Sequence, residues 1–171
     1  GNAVRKMGPF FQDDPHPEKS LPFFYLNTNK RSVTLDISSP SGRELLLELL
    51  QNADALFESY RPGYLDSLGL GYEDLKRLNP RLVVTSITPF GQYGPYRDYQ
   101  GNDLLYYALG GMMYVSGAYA REPLKHGHPQ TLYMGGMIAA YATSVAFFTR
   151  ESTGAGQHID LSLQEVIASH H

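Results

Sequence analysis

The sequence predicts an α/β fold, a Rossmann-like parallel sheet with flanking helices. Three observations carry the prediction. Short apolar runs alternate with helical ones in the order strand, helix, strand, helix, strand, the pattern of parallel βαβ units. Leu82-Val-Val-Thr-Ser-Ile87 is continuous and β-rich, as expected of a strand covered on both faces. The stretches that follow the apolar runs, Glu58–Gly63 and Pro89–Tyr96, are rich in Gly and Pro. Open α/β sheets place their ligands beyond the carboxyl ends of strands, so these two stretches are the first places to seek a site.

Taken in order, residues 1–26 carry Pro9, Pro15, Pro17 and Pro22 among mixed charges and read as an irregular segment. Phe10-Phe11 and Leu21–Leu26 are its apolar anchors, and Phe23–Leu26 fits a short helix or a short strand. Ser32-Val-Thr-Leu-Asp36 alternates and reads as a strand. Two helix starts compete after it: Ser39 capping with Pro40 at the first helical position, or a capping box of Ser41 with Glu44. Either way 43–52 is helical, with Leu45, Leu46, Leu49 and Leu50 facing in. Ala55–Glu58 is a short strand broken by Arg61-Pro62-Gly63. Tyr72, Leu75 and Leu78 share a helical face, Glu73 and Asp74 suit the positive end of that helix, and Asn79-Pro80 stops it.

Beyond Leu82–Ile87, Leu104–Tyr114 reads as a helix with Gly110-Gly111 as a bend or close contact. Residues 116–130 form a loop, a second helix runs from about Leu132 to Arg150, and Glu151–Gly156 is a turn. Gln157–Leu163 alternates as a strand, and a further helix begins before His171. The expected organisation is one partial α/β domain over 1–171: an irregular segment at 1–26, a βαβ core at 27–96, a helical part at 97–150, and a strand with the start of a helix at 151–171.

The 171 residues suffice for a real core. A net charge of −3 leaves no electrostatic footprint for nucleic acid. The absence of cysteine excludes disulfides, thiolate nucleophiles and Cys-based metal sites. Glycines, Thr143 and Ser144 interrupt the longest apolar stretch, Met134–Phe148, which makes a poor membrane span. With no secretory signal at the start, the expectation is a cytoplasmic protein without a membrane partner. Both ends read as cut.

The candidate motifs each have two readings. Lys30-Arg31 either neutralises phosphates or forms a solvated turn. Glu58-Ser-Tyr-Arg-Pro-Gly63 either grips a ligand with backbone amides and the Tyr60 ring or is only a tight turn. Gly91-Gln-Tyr-Gly-Pro95 lacks the spacing of a phosphate-loop fingerprint. His126-Gly-His128 has no third ligand at metal spacing, so no metal is expected. Asp103 either caps the helix it opens or turns a carboxylate into a cleft.

Asn27–Asp36, Glu58–Gly63, Leu68-Gly-Leu-Gly-Tyr72, Leu78-Asn-Pro-Arg81, Ser86–Tyr96, Gly101-Asn-Asp103 and Thr153-Gly-Ala-Gly-Gln157 together resemble the family III CoA-transferases, also called the carnitine dehydratase/bile-acid-inducible group. The resemblance covers nearly all of the chain. It implies part of a large domain, with a first βα unit before Gly1 and a small domain beyond His171. It implies two chains threaded as interlocked rings and coenzyme A bound along the strand ends as acyl-CoA. By position, Leu35 and Ser38 flank the adenine and phosphate region, Ser59 and Tyr60 pack against CoA, and Gln100 and Asn102 line the path to the thioester. Lys30 and Arg31 match the basic motif.

The resemblance also implies a nucleophilic mechanism. A carboxylate attacks the acyl-CoA thioester to give a mixed anhydride, the released thiolate forms an enzyme–CoA thioester, and an incoming carboxylic acid completes the exchange. The chain departs from the family at the attacking residue. Where the family has an acid before the glycines of a long helix, this sequence has Thr131 or Leu132. The His that related acyl-CoA racemases need stands as Asn102, which disfavours that chemistry. Two expectations remain: a transferase whose acid comes from Asp103, the rest of the chain or a partner, and a non-catalytic CoA-binding subunit of a heteromeric transferase.

Overall fold

The computed structural model describes residues 2–170. The chain divides into two compact units, Gly1–Leu35 and Asp36–His171.

The first unit is organised around Ser20, which is fully buried. Its Oγ lies 2.9 Å from the Val4 carbonyl and 2.7 Å from that of Met7. It also accepts from the amide of Phe23 at 3.3 Å, capping helix α1 (Leu21–Asn27). Two 3₁₀ turns, Ala3–Lys6 and Phe11–Asp13, precede that helix. Arg5 pairs with Glu18 at 2.6 Å and lays its guanidinium over the Phe23 ring. The proline-rich segment is therefore more ordered than its composition implies, and Phe23–Leu26 is helical. The strand expected at Ser32–Asp36 does not form, and residues 30–36 have no regular structure. A strand exists by its ladder, and no described strand pairs with this one. Val33 is 72% exposed, so its alternation packs against little.

In the second unit, α2 (Pro40–Leu50) starts at the earlier of the two candidate positions. Ser39 accepts from the amide of Gly42 at 3.1 Å, and Pro40 supplies a preset helical φ. Gly42 has no room for a side chain, because a Cβ there would stand 1.8 Å from the Asp36 carbonyl oxygen. Strand β1 (Ala55–Glu58), the short helix α3 (Tyr64–Ser67) and α4 (Tyr72–Leu78) follow. Then come β2 (Val83–Thr88), α5 (Asp103–Leu109), α6 (Gln130–Thr153), β3 (His158–Ser162) and α7 (Leu163–Ala168).

The three strands make one parallel sheet in the order β1-β2-β3, with Glu58 opposite Ser86 and Ser86 opposite Asp160. Helices cover both faces of the central strand. On one face Val84 joins Leu50, Leu70, Leu75 and Leu82 under α2 and α4. On the other, Thr85 shares a buried 2.8 Å hydrogen bond with Thr143 of α6. A second cluster of Tyr106, Tyr107, Ala139, Leu161, Leu163, Val166 and Ile167 ties α5, α6 and α7 to β3. The continuous apolar run at 82–87 is thus explained by burial on both faces.

Gly110-Gly111 ends α5 rather than bending a longer helix. Gly111 has φ +89°, and a Cβ on Gly110 would meet Ile167 at 2.5 Å. At the far end of α6, Arg150 reaches back to the sheet. It donates to Asp54 Oδ1 at 2.8 Å and to the Arg81 carbonyl at 3.0 Å, fixing the helix to the entrances of β1 and β2.

Candidate functional site

The site forms where β1 and β2 end. After β1 the chain must reverse, and Glu58 stabilises the turn by accepting from the amide of Tyr60 at 2.8 Å. Pro62 and Gly63, the latter at φ +82°, complete it. After β2 the loop is pinned from below. The amide of Gly91 donates to Thr88 Oγ1 at 2.9 Å. The amide of Gln92 donates to both carboxylate oxygens of Asp160 on β3, at 3.1 and 2.9 Å. Phe90 packs edge-on against Tyr96 and Tyr106. A cavity of about 390 Å³ opens between these two turns, lined by residues 59–62, Pro89 and residues 97–101. That volume is within the range of small-molecule sites.

Three of the sequence-predicted residues, Ser59, Tyr60 and Gln100, meet at this cavity. Tyr60 is 45% exposed and its ring lies 4.9 Å from the Tyr64 ring, at the wall of the cavity. Asn102 follows directly after the lining segment. Its Oδ1 accepts from the amide of Leu105 at 3.0 Å, so Asn102 caps α5. Ser38 lies elsewhere, in the turn ahead of α2. Its hydroxyl and amide both donate to Asp36 Oδ1, at 2.6 and 2.9 Å, and hold that carboxyl below its usual range. Lys30, Arg31 and Leu35 belong to the first unit. There Lys30 Nζ donates to the Leu26 carbonyl at 2.7 Å, at the end of α1. Lys30 thus has a structural task at a helix C-terminus.

Sequence reasoning missed the two guanidiniums. Arg61 and Arg97 line this cavity and also a neighbouring one of about 500 Å³ on the sheet face. The second cavity contains Glu58, Tyr72 and a Ser86–His158 pair at 2.9 Å, with His158 stacked on Tyr72. Arg61 sits inside a motif the sequence already flags, whereas nothing in the spacing marks Arg97.

Asp103 neither caps its own helix nor faces the cavity as a free acid. Its Oδ2 accepts from Lys125 Nζ at 2.5 Å and its Oδ1 from the amide of Thr131 at 3.0 Å. The carboxylate therefore serves the first turn of α6, where the helix dipole favours negative charge. Lys125 also donates to the carbonyls of His126 and His128, both at 2.8 Å. His126 is engaged with the Tyr107 hydroxyl at 2.7 Å. Burial, reinforced by the charge of Asp103, raises the phenol of Tyr106 above its ordinary value. Thr131 is fully buried, and Leu132 beside it is 54% exposed. Neither side chain supplies a carboxylate.

The model of CoA-transferase family III matches residues 1–170. Among curated relatives, the succinyl-CoA:(R)-benzylsuccinate CoA-transferase subunit BbsE of Thauera aromatica is 42% identical over 168 residues, spanning 98% of this chain and 41% of that protein. The succinyl-CoA–L-malate CoA-transferase beta subunit of Chloroflexus aurantiacus is 37% identical over 169 residues, spanning 98% of this chain and 40% of that one. A crystal structure of a CaiB/BaiF family protein from Brucella suis superposes with TM-score 0.89 at 38% identity, over 99% of this chain and 45% of the other. The chain thus spans about two-fifths of the length of the curated relatives it matches. On this evidence of sequence and fold together, the chain belongs to CoA-transferase family III.

Proposed function

We propose that the complete protein is a CoA-transferase subunit. In this reading it binds acyl-CoA across the turns beyond β1 and β2 and supplies no nucleophile, working with a paralogous subunit that does. The transferred group is CoA, exchanged between two carboxylic acids. The observation that carries the reading is the occupied carboxylate: Asp103 is engaged by Lys125 and by the Thr131 amide, and Thr131 and Leu132 hold no acid. Two of the relatives are themselves named as subunits, which supports a heteromeric assembly.

In this proposal Tyr60 packs on the carrier beside Ser59, and Arg61 and Arg97 offer guanidiniums suited to phosphate oxygens. Gln100 and Asn102 lead toward the thioester. By the family resemblance alone, Leu35 and Ser38 belong to the adenine and phosphate region, and Lys30 and Arg31 match the family's basic motif. The partner's carboxylate attacks the acyl carbon and displaces the CoA thiolate, giving a mixed anhydride. The thiolate then attacks the enzyme's own acyl carbon and releases the first acid. The second acid attacks that enzyme thioester, and the thiolate returns to the new acyl group.

A second reading makes Asp103 the nucleophile. Its hydrogen bond to the amide of Thr131, which with Leu132 is one of the two candidates for the family's acid position, favours it. Turnover by the purified complete protein separates the two. The first reading predicts CoA binding without exchange, and exchange only after the paralogous subunit is added. Exchange by the homomer that disappears in Asp103→Ala, with stability unchanged, would establish the second.

A further inference from the structure

The outward face of α6 has no partner among the described residues. Met137, Tyr141 and Phe148 are each at least 70% exposed, and they recur at helical spacing. Beside them runs an exposed row of small residues four apart, Gly136, Ala140 and Ser144. No Asp, Glu, Lys or Arg interrupts the helix before Arg150. A helix that is apolar all round is a buried helix. Its inner face is already committed to the sheet and α7. Ala139 and Ala146 are buried there, Thr143 bonds to Thr85, and a Cβ on Gly135 would stand 2.5 Å from Leu163.

The two adjacent glycines therefore have different causes. Gly135 faces Leu163 inside this unit, and a Cβ there would displace the end of that side chain. A Cβ on Gly136 would meet nothing within 4 Å. A glycine costs helix stability relative to alanine, and nothing in the described residues compensates for it at 136. A row of small residues forms a shallow groove in which a second helix lies close, with its ridge beside the larger side chains of Met137, Tyr141 and Phe148.

We infer that the Gly136–Ala140–Ser144 groove of α6 seats a further α-helix of the same polypeptide, apolar and uncharged over its contact. Chain length argues for that occupant: this chain covers only 45% of the Brucella suis protein on which it superposes, so more than half of that fold lies outside it. The proposal concerns the assembly of the fold and stands apart from the reading of the CoA site.

The test uses the complete protein carrying Ala140→Cys or Ser152→Cys, with maleimide labelling at each position read by peptide mass spectrometry. Ser152 is exposed near the end of α6 and outside the groove. Position 140 should label at least about tenfold more slowly than 152 in the native protein and equally fast in urea. A short cross-linker at 140 should join it to another segment of the same copy. Gly136→Leu, for which there is open space within this unit, should lower the melting temperature of the complete protein. Equal labelling of 140 and 152 would overturn the inference. So would a 140–140 cross-link between copies, which indicates a second copy, or flotation with phosphatidylcholine/phosphatidylglycerol vesicles, which indicates a membrane. An unchanged or raised melting temperature in Gly136→Leu would also count against it.

Discussion

Replacing Asp103 separates a structural carboxylate from an attacking one. The side chain is largely buried and makes two hydrogen bonds, one to the Lys125 ammonium and one to the Thr131 amide. Asp103→Asn keeps an acceptor for the amide but faces Lys125 without charge. Losing a charge-assisted bond of this kind costs about 2 kcal/mol. Asp103→Ala removes both acceptors and leaves the first turn of α6 without its anion, for a loss of about 3 kcal/mol. Urea denaturation of the complete protein measures both, with the slope checked for constancy. The expected order is wild type, then Asn, then Ala. CoA affinity should change little, because Asp103 does not line the cavity. If Asp103→Ala were as stable as wild type to within about 0.5 kcal/mol, the carboxylate would be free of structural duty. Paired with a loss of exchange, that result would make Asp103 the nucleophile.

Further outcomes follow from the same geometry. Tyr60→Ala and Arg61→Ala should each weaken CoA binding about tenfold or more by calorimetric titration, with little loss of stability, since both residues line the open cavity. Thr143→Val strands the buried Thr85 hydroxyl and should cost about 1–3 kcal/mol. Adding Thr85→Val should recover part of that, giving a coupling energy above about 0.5 kcal/mol in the double-mutant cycle. Tyr106 should ionise later than an ordinary tyrosine in a spectrophotometric alkaline titration, and Asp103→Asn should bring it earlier. Because its folded value is the higher one, its contribution to stability is complete below the ordinary value of 10.0 and is lost as pH rises through the folded value. A Tyr106 that titrates with the exposed tyrosines would contradict the packing around α5.

The sheet was legible because its strands carry the pattern their surroundings impose. The run at 82–87 is apolar on both sides because α4 and α6 cover both sides. Ser32–Asp36 has the right alternation for a strand, but alternation does not supply a partner, and the structure leaves the segment irregular. That Ser59 and Tyr60 share a cavity with Pro89 followed from topology, since the ends of adjacent parallel strands lie side by side, whereas Gln100 lies beyond the stretches that topology flags and was named from the family resemblance. The pairing of Asp103 with Lys125 had no such signature. The partners are 22 residues apart in an irregular loop, and only the folded path of that loop brings them together. Arg97 was invisible for the same reason. Ser39 rather than Ser41 caps α2, with Pro40 at the first helical position, one of the two starts that the residue pattern leaves open.

The proposed enzyme thioester would show most directly which chain attacks. Mixing the complete protein, a paralogous CoA-transferase subunit and acyl-CoA, quenching in acid and mapping CoA adducts by mass spectrometry tests for it. The expected map places every adduct on the partner and none on residues 1–171 of this chain. An adduct on Asp103 would contradict it.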